Sequence, residues 1–198
     1  MADFASLVAD VISLTNHPEL VGETALAVKS ATLKMHSTDF YFKDLFETAI
    51  QYSEQDYIQV IEYRTLFPKY RSLKYLRKFD APTNTPGVFF DLVTPEEILD
   101  SYKAQRSNVC YVAGSVIQVR SNTPDLYALI GVYLSPTVDS PETYNSWIAL
   151  EQPYAIVFEA AAMVYGLLEN DKAKSAFLQE AADQISLLRM NNITAIGS

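Results

Sequence analysis

Residues 152–192 constrain the fold more than any other stretch, reading QPYAIVFEAAAMVYGLLEN and then DKAKSAFLQEAADQISLLRMNN. Their spacing predicts two helices folded back on each other. In the first, Ile156, Ala160, Met163 and Leu167 form one apolar row, and Tyr154, Phe158, Ala161, Tyr165 and Leu168 form a second. Glu159 is the sole charge before Glu169. A helix apolar almost all round is a buried one. The second helix is amphipathic, with Ala173, Phe177, Ala181, Ile185 and Leu188 on one face and Lys174, Gln179, Asp183 and Arg189 elsewhere. The run Ala160-Ala161-Ala162 lets a neighbouring helix come close. No catalytic group stands out in either helix, so the hairpin is expected to be scaffold.

At the other end, Phe4, Leu7, Val8, Val11 and Ile12 follow helical spacing and predict a short amphipathic helix over 3–14. Asn16-His17-Pro18-Glu19 reads as a restart, with Asn16 capping and Glu19 completing a box-like arrangement. The helix that follows is expected to reach about residue 35 with Val21, Ala25, Val28, Ala31 and Met35 inward. His17 and His36 stand at its ends without a ligand cluster at suitable spacing, so both are read as structural.

From Asp44 the period becomes alternating. Residues 45–52 and 57–63, joined by Ser53-Glu54-Gln55-Asp56, read as a hairpin. A strand is expected over 70–79, then a loop at Pro82, Pro86 and Gly87, then the apolar VFFDLV. Thr94-Pro95-Glu96-Glu97 is a capping box opening a helix to about residue 102, its acids favoured by the helix dipole. Residues 108–113 and 115–120 predict a tight hairpin at Gly114, with Cys110 buried in its first strand. A further strand over 126–134 precedes a short helix from Ser140 through Trp147, and Pro153 opens the central helix. The expected fold class is α+β. A bundle of N- and C-terminal helices, 1–43 and 140–192, carries an inserted antiparallel β-rich subdomain, 44–139, and a C-terminal arm, 193–198.

Little in the chain offers reactive chemistry. Its six glycines are scattered, it lacks H-E-x-x-H, C-x-x-C and G-x-S-x-G, and it has two histidines and one cysteine. No catalytic, cofactor-binding or metal-ligating residue is expected, and the chain is read as not an enzyme. An enzyme would need an unrecognised carboxylate or tyrosine site. No apolar run reaches ~18 residues, so no membrane span is expected. The opening MADFASLVADVISL has Asp3 and Asp10 and no basic region, unlike a signal peptide. A lone cysteine fits a reducing compartment.

The net charge of −9 opposes general nucleic-acid affinity. One stretch departs from it. Arg64, Lys69, Arg71, Lys74, Arg77 and Lys78 are six of fifteen basic residues, interleaved with Tyr63, Phe67, Tyr70, Tyr75 and Phe79. On a strand this pattern suits nucleic-acid stacking, a solvated face, or an acidic protein partner. The acidic remainder favours the protein partner.

Three stretches together resemble the head-to-tail adaptor (connector) proteins of tailed bacteriophages, in the podovirus-type branch with a large β insertion. They are LVADVISLTNHPELVGETALAVKSATLKMHSTDFY, EYRTLFPKYRSLKYLRKFD and PYAIVFEAAAMVYGLLENDKAKSAFLQEAADQI. The resemblance implies a virion structural protein of the neck, assembled in the host cytoplasm. It implies a homo-oligomeric ring, commonly dodecameric, beneath the portal protein. The ring would extend the channel through which DNA passes without specific binding, and would dock a tail nozzle or other tail protein. A different neck or tail-nozzle ring subunit is the alternative. The terminal residues Asn191, Asn192, Ile193 and Ile196 would then belong to a portal-facing arm, a short one for the family. Thirteen tyrosines suit lateral interfaces, and an acidic wall keeps passing DNA from sticking.

Overall fold

A computed structural model describes residues 3–52, 57–80, 85–98, 106–123 and 125–196. The fold is α+β, with N- and C-terminal helices flanking a strand-rich middle. The chain divides into two compact units, one of residues 1–44 with 135–198 and one of residues 45–134.

In the helical unit, α1 (Phe4–Thr15) starts at Asp3, whose carboxylate accepts from the Ser6 amide at 2.8 Å. It ends at Asn16, which is left-handed at φ 56 and returns its amide to the Ile12 carbonyl. Asn16 therefore closes α1 and does not open the next helix. Glu19 engages the His17 ring at 2.7 Å instead of a cap amide, and α2 (Val21–Ser37) begins with no side-chain cap. The cause is local: a left-handed residue cannot also serve as an extended N-cap. In α2, Val28, Ala31 and Met35 are buried as expected, joined by Thr24, Ala27 and Thr32. Ala25 only packs at the margin, and Val21 is 52% exposed. Thr32 is accommodated by bonding the Val28 carbonyl and the Tyr144 hydroxyl, each at 2.8 Å.

The expected helix from Ser140 to Trp147 is replaced by a turn, and α4 runs from Trp147 to Glu151 after an isolated antiparallel bridge between Thr137 and Asn145. Ser146 decides the start, because its hydroxyl accepts the Ala149 amide at 3.2 Å. Pro153 then takes the first position of α5 (Pro153–Leu167), whose residues 155–157, 159–162 and 164 are buried. Glu159 is tolerated there because Lys34 reaches it at 2.6 Å. Asn170 caps α6 (Asp171–Ile196) by accepting the Ala173 amide at 3.1 Å. Ala181 and Leu188 of α6 are buried, with Phe177 and Ile185 packed beside them. The helix does not end at residue 192: positions 193–196 continue α6, so no separate arm begins at 193. Asn192 is held rather than free, its carboxamide accepting the Phe42 amide at 2.9 Å.

Among the described residues the β unit has eight strands and one short helix. They are β1 (Leu45–Tyr52), β2 (Ile58–Ile61), α3 (Tyr63–Leu66), β3 (Tyr70–Asp80), β4 (Thr85–Phe89), β5 (Asp91–Leu92), β6 (Val109–Ala113), β7 (Val116–Arg120) and β8 (Leu126–Leu134). They form two sheets, ordered β1-β8-β3-β4 and β2-β7-β6-β5, with only β5 and β6 parallel among the described pairs. The expected β1–β2 hairpin is not made. β1 pairs along its whole length with β8, and β2 pairs with β7. Long-range pairing prevails because β8 buries Leu126, Ala128, Ile130 and Val132 on one face, making it the centre of its sheet. Residues 53–56 lie outside the described residues. The β6–β7 hairpin forms as expected, with Gly114 at φ 61. The capping box at Thr94 also forms, its amide donating to Glu97 at 3.0 Å, but it opens a 3₁₀ turn (Pro95–Ile98). Its expected continuation to 102 lies outside the described residues.

Ala161 is fully buried in the helical core. Ala161→Leu is expected to overpack the helix crossing and cost about 1–3 kcal/mol, read as a lower denaturation midpoint in urea.

Candidate functional site

In the helical unit three buried polar side chains, His36, Asp44 and Ser146, meet the part-buried Trp147. His36, 2% exposed, places Nδ1 2.8 Å from Asp44 Oδ1 and Nε2 2.9 Å from the Ser146 hydroxyl. The Trp147 indole donates to the same Asp44 oxygen at 2.7 Å. The order serine, histidine, aspartate is that of a nucleophilic triad. Its surroundings are not. Ser146 is 4% exposed, and its oxygen already accepts the Ala149 amide as the cap of α4. Both ring nitrogens of His36, the Ser146 hydroxyl and one Asp44 oxygen are engaged inside the cluster, and none of the three side chains reaches solvent, so the cluster is a structural lock. His36 is thus structural, as expected, but it does have a carboxylate partner. Position 44 is eight residues away and Ser146 more than a hundred, so no spacing rule links them. The only sequence signal was Asp44 itself, an acid at the change from helical to alternating period.

Beside Trp147 lies an open cavity of about 280 Å³ lined by Phe42, Lys43, Glu151, Gln152, Leu188 and Asn191–Asn192. Lys43 pairs with Glu151 and sits 5.2 Å from the Trp147 ring centre. Two of the terminal residues singled out in the sequence, Asn191 and Asn192, therefore share a wall; the side chains at Ile193 and Ile196 lie outside the described residues. Tyr41 and Tyr144, also in this unit, have hydroxyls pushed above their ordinary range, chiefly by burial.

The six basic residues of the 64–78 stretch are not one strand face. Arg64 lies in α3 over the Tyr63 ring at 5.8 Å, and Lys69 lies in the turn before β3. On β3, Arg71 and Lys74 flank the Tyr133 ring at 5.7 and 6.0 Å. Arg77 covers Phe89 at 5.1 Å, and Lys78 donates to Asn122 at 2.7 Å and Thr123 at 3.1 Å. Tyr70 packs on Tyr63 with ring centres 4.0 Å apart, while Tyr75 bonds Glu47 and meets Phe89 edge-on at 5.7 Å. A period of two places 71 and 77 opposite 74 and 78, and register shifts at 70–72 and 73–75 interrupt that alternation, so the cations of β3 make no single row. Their charges are largely spent inside the unit, on ring faces and carbonyls.

Cys110 is 1% exposed, and burial, with Asp91 nearby, pushes its thiol up to about 12. Among the described residues no group of three or more His, Cys, Asp or Glu could hold a metal ion, and no helix is long and apolar enough to cross a membrane. The chain matches no protein-family model and no curated protein sequence.

Two outcomes follow from burial. Ser146→Ala should remove both the cap and the His36 partner and cost about 1–3 kcal/mol in chemical denaturation, while a fluorophosphonate leaves native Ser146 unlabelled. Cys110 should react with a thiol-specific disulfide reagent at pH 8 only on unfolding, since the reactive thiolate is scarce well below about 12.

Proposed function

We propose that this chain is a structural subunit of a phage virion neck, a head-to-tail adaptor that forms a ring between portal and tail. Its partners would be further copies of itself, the portal protein and a tail component, with DNA passing through unbound. The observation that carries the reading is a second apolar row on α2. That helix buries Thr24, Ala27, Val28, Ala31 and Met35, yet Leu26 and Leu33, one heptad apart on the other side, are 66% and 43% exposed. A helix apolar on two sides calls for a partner on the second, and closed rings supply one by repeating a single heterologous contact. Two further features support a mechanical role over a catalytic one. The triad-like cluster of Ser146, His36 and Asp44 is closed to solvent, and the basic residues of the 64–78 stretch are largely engaged within the β unit. The same engagement disfavours a nucleic-acid module reading bases with the 64–78 stretch.

The test is to mix purified chain with portal particles and examine the product by negative-stain electron microscopy. Added ring density at one portal end is expected, and Leu26→Glu with Leu33→Glu should abolish it while leaving the circular dichroism spectrum of the chain intact. Portal particles that stay bare with the unaltered chain would overturn the assignment.

A further inference from the structure

Arg120 ends β7 on the face that the apolar residues of that strand do not take. Ile117 and Val119 are fully buried, so the two-residue period of a strand turns 116, 118 and 120 the other way. β7 runs between β2 and β6, which sets Arg120 level with Ile58 on one side and with the buried Val109 on the other. This central place withdraws part of the guanidinium from water. Nε and Nη1 are closed to solvent and have no hydrogen-bond partner. Nη2 is neither closed nor hydrogen-bonded among the described residues, so the group meets solvent through that nitrogen. No described carboxylate stands within ion-pair distance of Arg120. A cation partly removed from water without a counter-charge is costly.

An open cavity of about 220 Å³ lies here, lined by Arg120 together with Arg106, Ser107, Ser121 and Asn122. No acid stands among the described lining residues. Arg106 is only loosely engaged, with Nη2 3.4 Å from Asp91 and Nη1 3.3 Å from the Glu97 carbonyl. Asp91 is 71% exposed, so water weakens its hold on that charge. Asn122 accepts from the Lys78 ammonium through Oδ1 at 2.7 Å, which leaves its amide NH₂ as a donor in hand. The Ser107 side chain is exposed and makes no hydrogen bond among the described residues. Ser121 differs, its hydroxyl being engaged with Thr123. The cavity therefore gathers two guanidinium groups, an amide and a hydroxyl, all able to donate, around a charge that Asp91 balances only in part.

We propose that this cavity binds a small tetrahedral oxyanion of the phosphate class, held by Arg120 Nη2 and Arg106, with Ser107 and Asn122 completing the donors. The guanidinium charge is delocalised, so an anion at the open nitrogen also offsets the part that is closed to water. Hydrogen bonds from a guanidinium to an oxyanion are among the stronger ones. The number of donors separates the candidates: a planar carboxylate offers two oxygens to these four groups, whereas phosphate offers one to each. A nucleic-acid strand would bring many phosphates to a chain of net charge −9, while a single ion meets only the cationic lining. The inference goes beyond the ring reading and does not require it.

The test is to titrate the full isotope-labelled chain with sodium phosphate and follow the backbone amides of Ser107, Ser121 and Asn122 by nuclear magnetic resonance. Sodium chloride at matched ionic strength, sodium acetate and a short DNA duplex are run beside it. Phosphate is expected to shift these amides saturably with a Kd on the order of 1 mM, and acetate to bind about tenfold more weakly or not at all. Arg120→Gln should weaken phosphate binding about tenfold or more, and Arg106→Gln should weaken it too and serves alone if the first variant misfolds. Lys172→Gln, which removes one positive charge from α6 in the other unit, should leave it unchanged. Equal shifts with chloride, equal affinity for acetate, or unchanged binding by a folded Arg120 or Arg106 variant overturns the proposal. So does saturation by the duplex without saturation by phosphate. Bare portals in the ring experiment would leave this result untouched.

Discussion

The bond network around Asp44 is the constraint on which the helical unit depends. Asp44 is the last residue before the chain leaves for the β unit, and Ser146 and Trp147 lie shortly after it returns at Ser135. His36 and Trp147 both meet one oxygen of Asp44, at 2.8 and 2.7 Å, and Ser146 holds the far side of the ring at 2.9 Å. The end of α2 and the outgoing chain, eight residues apart, are thus joined to the distant start of α4 through a few directional contacts. Apolar packing alone would not fix their register, because it lacks direction. Hydrogen bonds in the low dielectric of a buried site do. The aromatic packing of Tyr41 on Trp147, at 5.3 Å between ring centres, closes the lock with apolar area.

The same geometry shows how little a residue list says about chemistry. Serine, histidine and aspartate stand within hydrogen-bond distance, as they would in a hydrolase. Catalysis would require a path for substrate and donors aimed at a developing oxyanion. Ser146, His36 and Asp44 are 4%, 2% and 7% exposed, which leaves substrate no path to the serine. What remains is a capping serine, a histidine that spans two partners, and a carboxylate that accepts from two donors. Each role is mechanical.

Legibility in the sequence followed the range of the interactions. Helices α1, α5 and α6 were readable because their apolar periodicity is local and strong, and Pro153, Gly114 and Thr94 acted at the positions their chemistry suggests. Errors arose where one residue type serves two roles or where a distant partner decided. Asn16 was expected to open a helix and instead closes one, since the same residue type serves both ends. The strands at 45–52 and 58–61 are neighbours in sequence but belong to different sheets, because each found a longer or more buried partner than the other. The α+β class and the place of the strands in the chain survived these errors, since they depend on the order of periodicities and not on pairing. The lock and the cavity were illegible, being assembled from residues 36–44, 146–152 and 188–192 with no shared motif.

The distribution of charge explains why the basic stretch looked like a surface for nucleic acid. In sequence, cations alternate with tyrosines, as they do on stacking platforms. In the fold the same residues serve each other: Arg71 and Lys74 flank Tyr133, and Arg77 covers Phe89. A cation over a ring keeps its charge but loses part of its hydration, and the ring loses the face a base would stack on. Gly131 takes this further. Its missing side chain makes room for the Tyr75 ring, whose atoms would stand 2.7 Å from an added Cβ, and that ring in turn reaches Glu47 and Phe89. Part of the aromatic area on this sheet is therefore used in holding the sheet together, while Phe46 and Phe89 stay 46% and 55% exposed. Open apolar surface also lies on α2, where Leu26 and Leu33 suit polypeptide rather than phosphate.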